Sequence, residues 1–468
     1  MIDSLISILF WLSSALTLVI LLLPSQYGSE KSQTKDRSSA GQDAPSQPKT
    51  SVQILVLGDI GRSPRMQYHA LSIAKRGGRV DIIGYQESDA HPDIVSDPRV
   101  SIVPLPPHPA FLQTSNKILF LLFGPLKVLF QIFCLWDCLA YRTTPAKWLL
   151  IQNPPSIPTL AVASLVCFLR NTRLVIDWHN FGYSILALKL GNNHPLVTLS
   201  SWYERTLCQY ATAHLCVTRA MARVLQSEFC IKAPVLPLHD RPANHLQPIL
   251  AKQERLDFLA SLEETATIRS SLESGDLRIL VSSTSWTADE DFSLLITALS
   301  RYSELASTSK PHLPEVLAII TGKGPQREAY LQEISARKSS GELKKVTVKS
   351  TWLTTHDYAR LLASADLGVS LHTSSSGVDL PMKVVDMFGA GLPVVGWNRF
   401  EAWPELVTDG VNGRGFGSSE ELVEHLVDLF ENATKLEGLR VGALKEGSRR
   451  WDDEWDPVAG KLFGLVEA

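Results

Sequence analysis

Short apolar runs alternate with longer amphipathic stretches along most of the chain, beginning at Val52. Six runs precede a Pro-rich stretch between Pro237 and Pro248, and five follow it. The runs are VQILVLG, VDIIGY, VSIVPLP, WLLIQNP, RLVIDWH and AHLCVT, then RILVSST, EVLAIITG, KVTVKST, LGVSLHT and LPVVGW. Continuous apolar strands separated by helices are typical of parallel sheets covered on both faces. The pattern therefore predicts an α/β protein with two parallel-sheet domains.

Each series of strands predicts one Rossmann-like domain. We expect an N-terminal domain over residues 51–240, an interdomain connection over 241–275, and a C-terminal domain with terminal helices over 276–468. Ligands of such sheets bind at the carboxyl ends of the strands. The predicted binding site is therefore a cleft between the two domains.

The N-terminus carries a different pattern. Leu5–Leu23 is almost uninterrupted apolar sequence, and 19 residues at about 1.5 Å each approach the thickness of a bilayer. Lys31, Lys35 and Arg37 follow it, so the positive-inside rule places the bulk of the chain in the cytosol. We interpret residues 1–23 as a transmembrane signal anchor rather than a cleaved signal peptide, and the polar residues 24–50 as a flexible linker.

Composition excludes some classes of ligand and cofactor. The formal charge of −3 over 468 residues argues against nucleic-acid binding. The six cysteines form no CxxC pair, which favours reduced, buried thiols over a zinc site or disulfides. The segment Leu119–Trp136 is apolar on all faces, which indicates either burial in the core or contact with membrane or polyprenyl lipid.

The segment Leu367–Trp397 has the pattern of a nucleotide-phosphate site. A turn over Thr373–Gly377 offers hydroxyl and N–H groups before a predicted helix, whose dipole favours a diphosphate. Lys383 would add positive charge, and Asp386 could bind ribose hydroxyls. The alternative is an ordinary helix capped by serine. The candidate turn residues are Ser374, Ser375, Ser376 and Gly377.

Two further loops offer charged groups at strand ends. The loop from Gly58 to Arg65 includes Asp59 and Gly61, and its Arg62 and Arg65 are suited to bidentate phosphate contact unless they are merely solvated. It lacks GxGxxG, which disfavours a nicotinamide oxidoreductase. Asp289-Glu290-Asp291 is interpreted chiefly as a helix cap, with acceptor contact or a base role as the alternative, so we predict no metal site.

Six separated stretches together resemble the chitobiosyldiphosphodolichol β-mannosyltransferase family of GT-B glycosyltransferases. They are the Leu367–Trp397 segment, LGDIGRSPRMQYHA, QNPPSIPTL, DWHNFGYSIL, STSWTADEDF and ITGKGP. The resemblance implies a GT-B fold and transfer of mannose from GDP-mannose to GlcNAc2-diphosphate-dolichol, with inversion, at the cytosolic face of the endoplasmic reticulum membrane. Other transferases of the dolichol pathway are implied partners. The alternatives are a different nucleotide-sugar transferase, for example one using UDP-GlcNAc, and a catalytically silent anchoring subunit.

The resemblance also implies roles for particular residues. Inversion requires a base, for which His179 is the candidate, with Asp177 orienting it or acting in its place; contact with the sugar and a structural role are the alternatives. Lys323 would contact the diphosphate, and Trp352 would stack on guanine unless it is a core residue. Asp379 would bind the sugar hydroxyls. The loop with Asp59, Gly61, Arg62 and Arg65 would contact the acceptor or the diphosphate, and GT-B enzymes normally need no bound cation.

Overall fold

The computed structural model describes residues 10–14, 16–17, 20–21, 23–28, 48–110, 117–287 and 290–467. Its two parallel sheets confirm the predicted fold class. All eleven predicted strands are present. Two short strands, Val235–Pro237 and Gly413–Phe416, escaped prediction because neither contains a run of four apolar residues.

The first sheet has seven parallel strands in the order β3-β2-β1-β4-β5-β6-β7. The strand order reverses between β1 and β4, which pair in register from Val52 with Trp148 to Leu55 with Ile151. The strands are β1 (Ser51–Asp59), β2 (Arg79–Tyr85), β3 (Val100–Pro104), β4 (Trp148–Asn153), β5 (Arg173–Trp178), β6 (Ala213–Cys216) and β7 (Val235–Pro237). The helices are α1 (Pro64–Lys75), α2 (Pro92–Ser96), α3 (Lys117–Asp137), α4 (Thr159–Arg170), α5 (Gly182–Leu190), α6 (Pro195–Leu207) and α7 (Arg219–Ser227).

The second sheet has six parallel strands in the order β10-β9-β8-β11-β12-β13 and reverses between β8 and β11. Helices α8 (Lys252–Ser261) and α9 (Arg269–Ser274) lead into it. The strands are β8 (Leu277–Ser283), β9 (Glu315–Thr321), β10 (Val346–Thr351), β11 (Leu367–Ser370), β12 (Val394–Trp397) and β13 (Gly413–Phe416). The remaining helices are α10 (Phe292–Ser307), α11 (Arg327–Ser339), α12 (Thr355–Ser364), α13 (Met382–Gly389), α14 (Ser419–Glu431), α15 (Ala433–Gly447), α16 (Trp451–Trp455) and α17 (Lys461–Phe463).

The last two helices return to the first domain, whereas we predicted that all of residues 276–468 would belong to the second. Trp455 and Phe463 are fully buried in the same cluster as Val52 and Trp148 of the first sheet. The Trp451 indole N–H donates to Ser72 Oγ over 3.0 Å. Burial of these aromatic side chains stabilises the packing of the C-terminal helices against the first domain. The chain therefore passes between the domains twice, after β7 and after α15.

The predicted membrane segments are described only in part. Within residues 1–23, residues 10–14, 16–17 and 20–21 are helical, Leu23 follows as a bend, and Phe10 and Trp11 are exposed; the remainder of the predicted span lies outside the described residues. Of the predicted linker, only 24–28 and 48–50 are described. Residues 24–28 do not form a free tether, because Tyr27 N donates to Arg170 O over 2.7 Å and Arg170 Nε donates to Ser25 O over 3.1 Å.

Helix α3, which contains the segment Leu119–Trp136, has one buried and one exposed face, so burial accounts for only part of its apolar surface. Cys134 and Leu135 are buried in the core, whereas Leu129 and Phe133 on the other face are exposed. By length and composition, Phe123–Arg142 is a candidate membrane span among the described residues. All six cysteines are free thiols, and five of them are buried.

Candidate functional site

The carboxyl ends of both sheets border one interdomain cleft of about 410 Å³. Its first wall comes from the loops after β1, β4, β5, β6 and β7, and its second from the loops after β8 and β11. The lining residues are Arg62, Ser63, Pro64, Arg65, Gln152, His179, Val217 and Asp240 on the first wall, and Ser285, Glu290, His372, Asp379, Leu380, Pro381, Met382 and Lys383 on the second.

A buried ion cluster forms the base of the first wall. Arg65 donates two hydrogen bonds to Asp177, over 2.7 Å and 2.8 Å, and a third to Asp240 Oδ1 over 2.8 Å. A fourth goes to Leu238 O over 2.9 Å. Four of the five guanidinium N–H groups therefore have protein acceptors, which favours a structural role for Arg65, and its contact with phosphate stays a prediction. Arg65 joins α1 to the end of β5 and to the start of the interdomain connection.

Asp177 is fully buried and holds two histidines as well. His179 Nε2 lies 3.0 Å from Asp177 Oδ2, and His69 Nε2 lies 3.3 Å from the same oxygen. Burial acts to raise the pKa of Asp177, but the charge of Arg65 and the hydrogen bonds of His179 and His69 outweigh it, so that the pKa lies well below its usual range. A buried, ionised and fully bonded carboxylate is unsuited to act as the base in place of His179.

His179 retains the geometry expected of a base. Because ionised Asp177 is an acceptor only, Nε2 of His179 donates to it, so Nδ1 is the ring nitrogen left to meet a substrate. The ring lines the cleft and is a quarter exposed. Asp177 thus orients His179, as one of the two predicted roles requires.

The β1 loop is held in place by hydrogen bonds to Asp59 from its own backbone and from the β2 loop. Asp59 accepts hydrogen bonds from the N–H groups of Gly61, Glu87 and Ser88 over 3.1–3.3 Å, and one from the Ser88 hydroxyl. Burial opposes but does not cancel the lowering of the Asp59 pKa by these bonds. A Cβ on Gly61 would lie 2.5 Å from Asp89 O. Asp59 and Gly61 therefore fix the loop, whereas Arg62, with 79% of its side chain exposed, faces the mouth of the cleft.

The Ser-Gly turn does not form the helix N-terminus that we predicted. Ser374 and Ser376 donate to Asp379, and Ser375 accepts a hydrogen bond of 3.0 Å from Asn180 of the first domain. Gly377 has a φ of 75° and completes the turn. Helix α13 begins only at Met382, and because Val384 N donates to Pro381 O, the free N–H groups of its first turn are those of Met382 and Lys383.

Asp379 is the acceptor at the centre of this turn. His372 Nε2 lies 2.9 Å from Asp379 Oδ2, and both residues line the cleft. Burial acts to raise the pKa of Asp379, but the hydrogen bonds from His372 and Ser374 lower it overall. The carboxylate is thus ionised and faces the cleft beside the start of α13.

The first turn of α13 carries Lys383 into the cleft. Its Nζ lies 2.8 Å from Glu290 Oε1 and 3.3 Å from Ser285 Oγ. Asp386, one turn later, is mostly buried beside the Tyr358 hydroxyl and is absent from the cleft lining. Burial raises the pKa of Asp386 to about 7, against the lowering effects of Tyr358 and Lys383.

The β9 loop is glycine-rich because it packs against the β8 loop. A Cβ at Gly322 or Gly324 would lie 1.8 Å from Thr284 O or Ser285 O, respectively. Between these glycines, Lys323 Nζ lies 4.4 Å from the centroid of the Trp352 ring. Trp352 is 63% exposed, which excludes the alternative of a core residue. Neither side chain lines the cleft described above.

The acidic string after β8 divides into separate roles. Asp291 caps α10 by accepting from Ser293 N over 3.0 Å, Glu290 pairs with Lys383, and Asp289 lies outside the described residues. In the described part of the chain, no group of three His, Cys, Asp or Glu side chains is arranged to hold a metal ion. That none is required remains a prediction.

The charged, histidine and amide side chains of the cleft that were not predicted are Gln152, Asp240, Glu290 as the partner of Lys383, and His372. Gln152 and His372 lie at or just beyond the ends of apolar strands, where the rule that identified His179 would also have found them. Asp240 and Glu290 carry no such signal, because their positions depend on partners that are distant in sequence.

The comparisons with known proteins agree with this geometry. Residues 61–239 match a family model described as a glycosyl transferase 4-like domain, and 277–432 match one described as glycosyl transferases group 1. A chitobiosyldiphosphodolichol beta-mannosyltransferase of Arthroderma benhamiae is 52% identical over 432 residues, which cover 92% of this chain and 93% of that protein. One of the same name from Yarrowia lipolytica is 43% identical, with 88% and 86% covered.

Among solved structures, a sucrose-phosphate synthase from Thermosynechococcus elongatus aligns with a TM-score of 0.61 at 11% identity, covering 89% of this chain and 98% of that one. Two parallel-sheet domains around a shared cleft, together with these matches, define a glycosyltransferase of the GT-B class. Within that class, the chain belongs to the chitobiosyldiphosphodolichol β-mannosyltransferase family.

Replacing Arg65 should cost stability rather than donor affinity. Arg65→Met leaves two buried carboxylates without their counter-ion, and removal of one partner from a buried pair typically costs about 3–5 kcal/mol. The exposed neighbour provides the control, since Arg62→Met is expected to change stability by less than about 0.5 kcal/mol. Thermal and denaturant unfolding of both variants measure the difference. Unchanged stability of Arg65→Met with a weakened donor KM would contradict the structural role.

Replacing Asp386 should change how stability depends on pH. Native Asp386 keeps its proton up to about pH 7, whereas the unfolded residue loses it near its ordinary pKa of 3.8, so the group lowers stability as the pH rises between these values. Asp386→Asn removes this loss, and between pH 5 and pH 8 we expect the stability of the variant to rise relative to that of the parent by at most about 3 kcal/mol. Melting curves across that range measure it. Parallel pH profiles would show that Asp386 titrates normally.

Proposed function

We propose that the protein transfers mannose from GDP-mannose to O4 of the terminal GlcNAc of GlcNAc2-diphosphate-dolichol, with inversion of the anomeric centre. Membership of the β-mannosyltransferase family is the observation that carries this proposal. The cleft supports it, because a cationic helix N-terminus on one wall faces a carboxylate-oriented histidine on the other. The product would be the first mannosylated form of the lipid-linked N-glycan precursor.

The second domain would bind the donor. The N-terminus of α13 and Lys383 would hold the diphosphate, since unpaired N–H groups, the helix dipole and an ammonium all favour an anion. They would also stabilise charge on the departing GDP, so that the proposal requires no metal ion. Asp379 would bind mannose hydroxyls and Asp386 the ribose. Lys323 and Trp352 would contact the donor at the edge of the second sheet, where their pairing presents a cation and an exposed ring.

The first domain would bind the acceptor. His179 would accept the proton of the acceptor hydroxyl as that oxygen attacks the anomeric carbon, and Asp177 would stabilise the imidazolium that results. Arg62, at the mouth of the cleft, would contact the diphosphate of the acceptor lipid. This division gives each domain one substrate and places the transferred sugar between them.

The protein would work at the cytosolic face of the endoplasmic reticulum membrane. The exposed face of α3 with Leu129 and Phe133 supports this proposal, and so does Phe168 on α4, which is 82% exposed. Residues 25 and 27 are tied to Arg170 at the end of α4, so the apolar N-terminal helix departs beside this surface. A membrane-resting first domain would keep the cleft near a lipid-borne acceptor.

The donor test uses purified protein with a diphospho-chitobiose lipid and, in turn, GDP-mannose, UDP-GlcNAc and UDP-glucose. Only mannose should be transferred. Lys383→Ala should lower kcat/KM for GDP-mannose by about 10²–10³-fold, because a preorganised charge at the leaving group is lost. Lys338→Ala, an exposed residue of the same domain, is the matched control. Transfer from UDP-GlcNAc would favour the rival enzyme, and GDP binding without any transfer would favour a silent subunit.

The base assignment predicts a separate kinetic effect. His179→Ala should reduce kcat by about 10²–10⁴-fold while leaving the Kd for GDP unchanged, because the ring would act on the acceptor and not on the nucleotide. His356→Ala, in an exposed position at the start of α12, should leave both unchanged. Steady-state kinetics and calorimetric titration with GDP give the two quantities. Near-normal turnover of His179→Ala would eliminate it as the base.

A further inference from the structure

Glu290 places a buried negative charge where an anionic ligand would bind. Its carboxylate lines the interdomain cleft, and its Oε1 lies 2.8 Å from Lys383 Nζ. The Glu290 side chain is 4% exposed, whereas that of Lys383 is 30% exposed. The ammonium that should attract a diphosphate is therefore neutralised by a carboxylate of the same wall.

The carboxylate is the immobile member of this pair. Its Oε2 accepts from Ser285 N over 2.8 Å and from the Thr284 hydroxyl. The backbone of Glu290 also pairs with that of His372, next to β11. Lys383 instead reaches Glu290 along a flexible four-carbon stem from the first turn of α13. The ammonium can change partners, whereas the carboxylate has to stay in the cleft.

Helix capping does not account for Glu290. Asp291 caps α10 through the Ser293 N–H, and Glu290 contributes nothing to that cap. The hydrogen bonds from Ser285 and Thr284 require only an oxygen acceptor, which a glutamine would also supply. These contacts do not explain why residue 290 carries a negative charge. That charge faces the ammonium of Lys383.

We infer that Glu290 is the resting counter-ion of Lys383. The donor diphosphate displaces Glu290 from the ammonium when it binds, and Glu290 pairs with the ammonium again when GDP leaves. This inference rests on the proposed donor site. A diphosphate has to compete with Glu290 for the ammonium and lies close to a like charge, both of which weaken its binding. Glu290 thus limits the affinity for GDP and hastens product release. It is a positioning residue whose effect on the nucleotide passes through Lys383.

The sign of one measurement tests the inference. Glu290→Gln should bind GDP about five- to tenfold more tightly than the parent protein in calorimetric titration, and GDP should become a correspondingly stronger product inhibitor. A purely structural residue would have the opposite effect, because a disturbed β8 loop loosens the site. Weaker or unchanged GDP binding by folded Glu290→Gln would overturn the inference.

Two controls separate charge from position. Asp291→Asn removes an acid at the next residue while retaining a capping side chain, and its Kd for GDP should stay within twofold of the parent value. In a Lys383→Met background, the gain in affinity from Glu290→Gln should shrink, because the ammonium for which the two anions compete is absent. A gain of the same size in both backgrounds would overturn the role assigned to the pair.

Failure of the donor site itself would give a different result. If the parent protein did not bind GDP, or if Lys383→Met bound it equally well, the proposed diphosphate site would be wrong and the inference would fall with it. If Glu290→Gln did not fold, Glu290→Asp would replace it. That variant keeps the charge but withdraws it from Lys383 by one methylene, and it should bind GDP two- to threefold more tightly. Parent-like affinity there would overturn the inference.

Discussion

The ion cluster of Arg65, Asp177 and Asp240 is the interaction on which the rest of the cleft depends. It is buried, so its charges cannot be satisfied by water, and its members come from α1, β5 and the interdomain connection. Asp177 orients His179 and also contacts His69, whose Nδ1 accepts from the Trp455 indole over 2.9 Å. His179, the candidate base, is therefore linked through Asp177 and His69 to Trp455 on helix α16.

The second requirement is that the two walls keep their spacing, and several polar contacts cross the boundary between the domains. Asn180 donates to Ser375, and Thr218 donates to Val378 O over 2.6 Å. Glu405 of the second domain accepts from the N–H groups of Arg219 and Ala220 at the start of α7, each over 2.6 Å. A carboxylate at a helix N-terminus complements its dipole, so this contact joins the domains electrostatically. The serine turn after β11 thus belongs to the boundary as much as to the site.

The fold could be predicted from the sequence much further than the site. Eleven strands are recognisable in the sequence as apolar runs. The rule that ligands bind at the carboxyl ends of strands placed His179, Arg62 and Lys383 at one cleft, which all three residues line. The partners of Arg65 could not be predicted, because a phosphate-binding arginine and a buried structural one have the same local pattern until their partners are known. The serine turn was misjudged because α13 begins at Met382, several residues later than the turn suggested. The first gap concerns partners that are distant in sequence, and the second concerns the exact start of a helix.

Two buried carboxylates, Asp177 beneath the first wall and Glu290 in the second, show how similar groups acquire different functions. Asp177 meets a guanidinium that is fixed by four hydrogen bonds, so its charge is neutralised permanently and serves only to orient its neighbours. Glu290 meets an ammonium on a flexible stem, so its neutralisation is reversible. A rigid pair suits the wall that must hold a base in one orientation through the reaction. An exchangeable pair suits the wall that would release a charged product after each turnover. The difference between the two pairs lies in the cation, which is an arginine in the first and a lysine in the second.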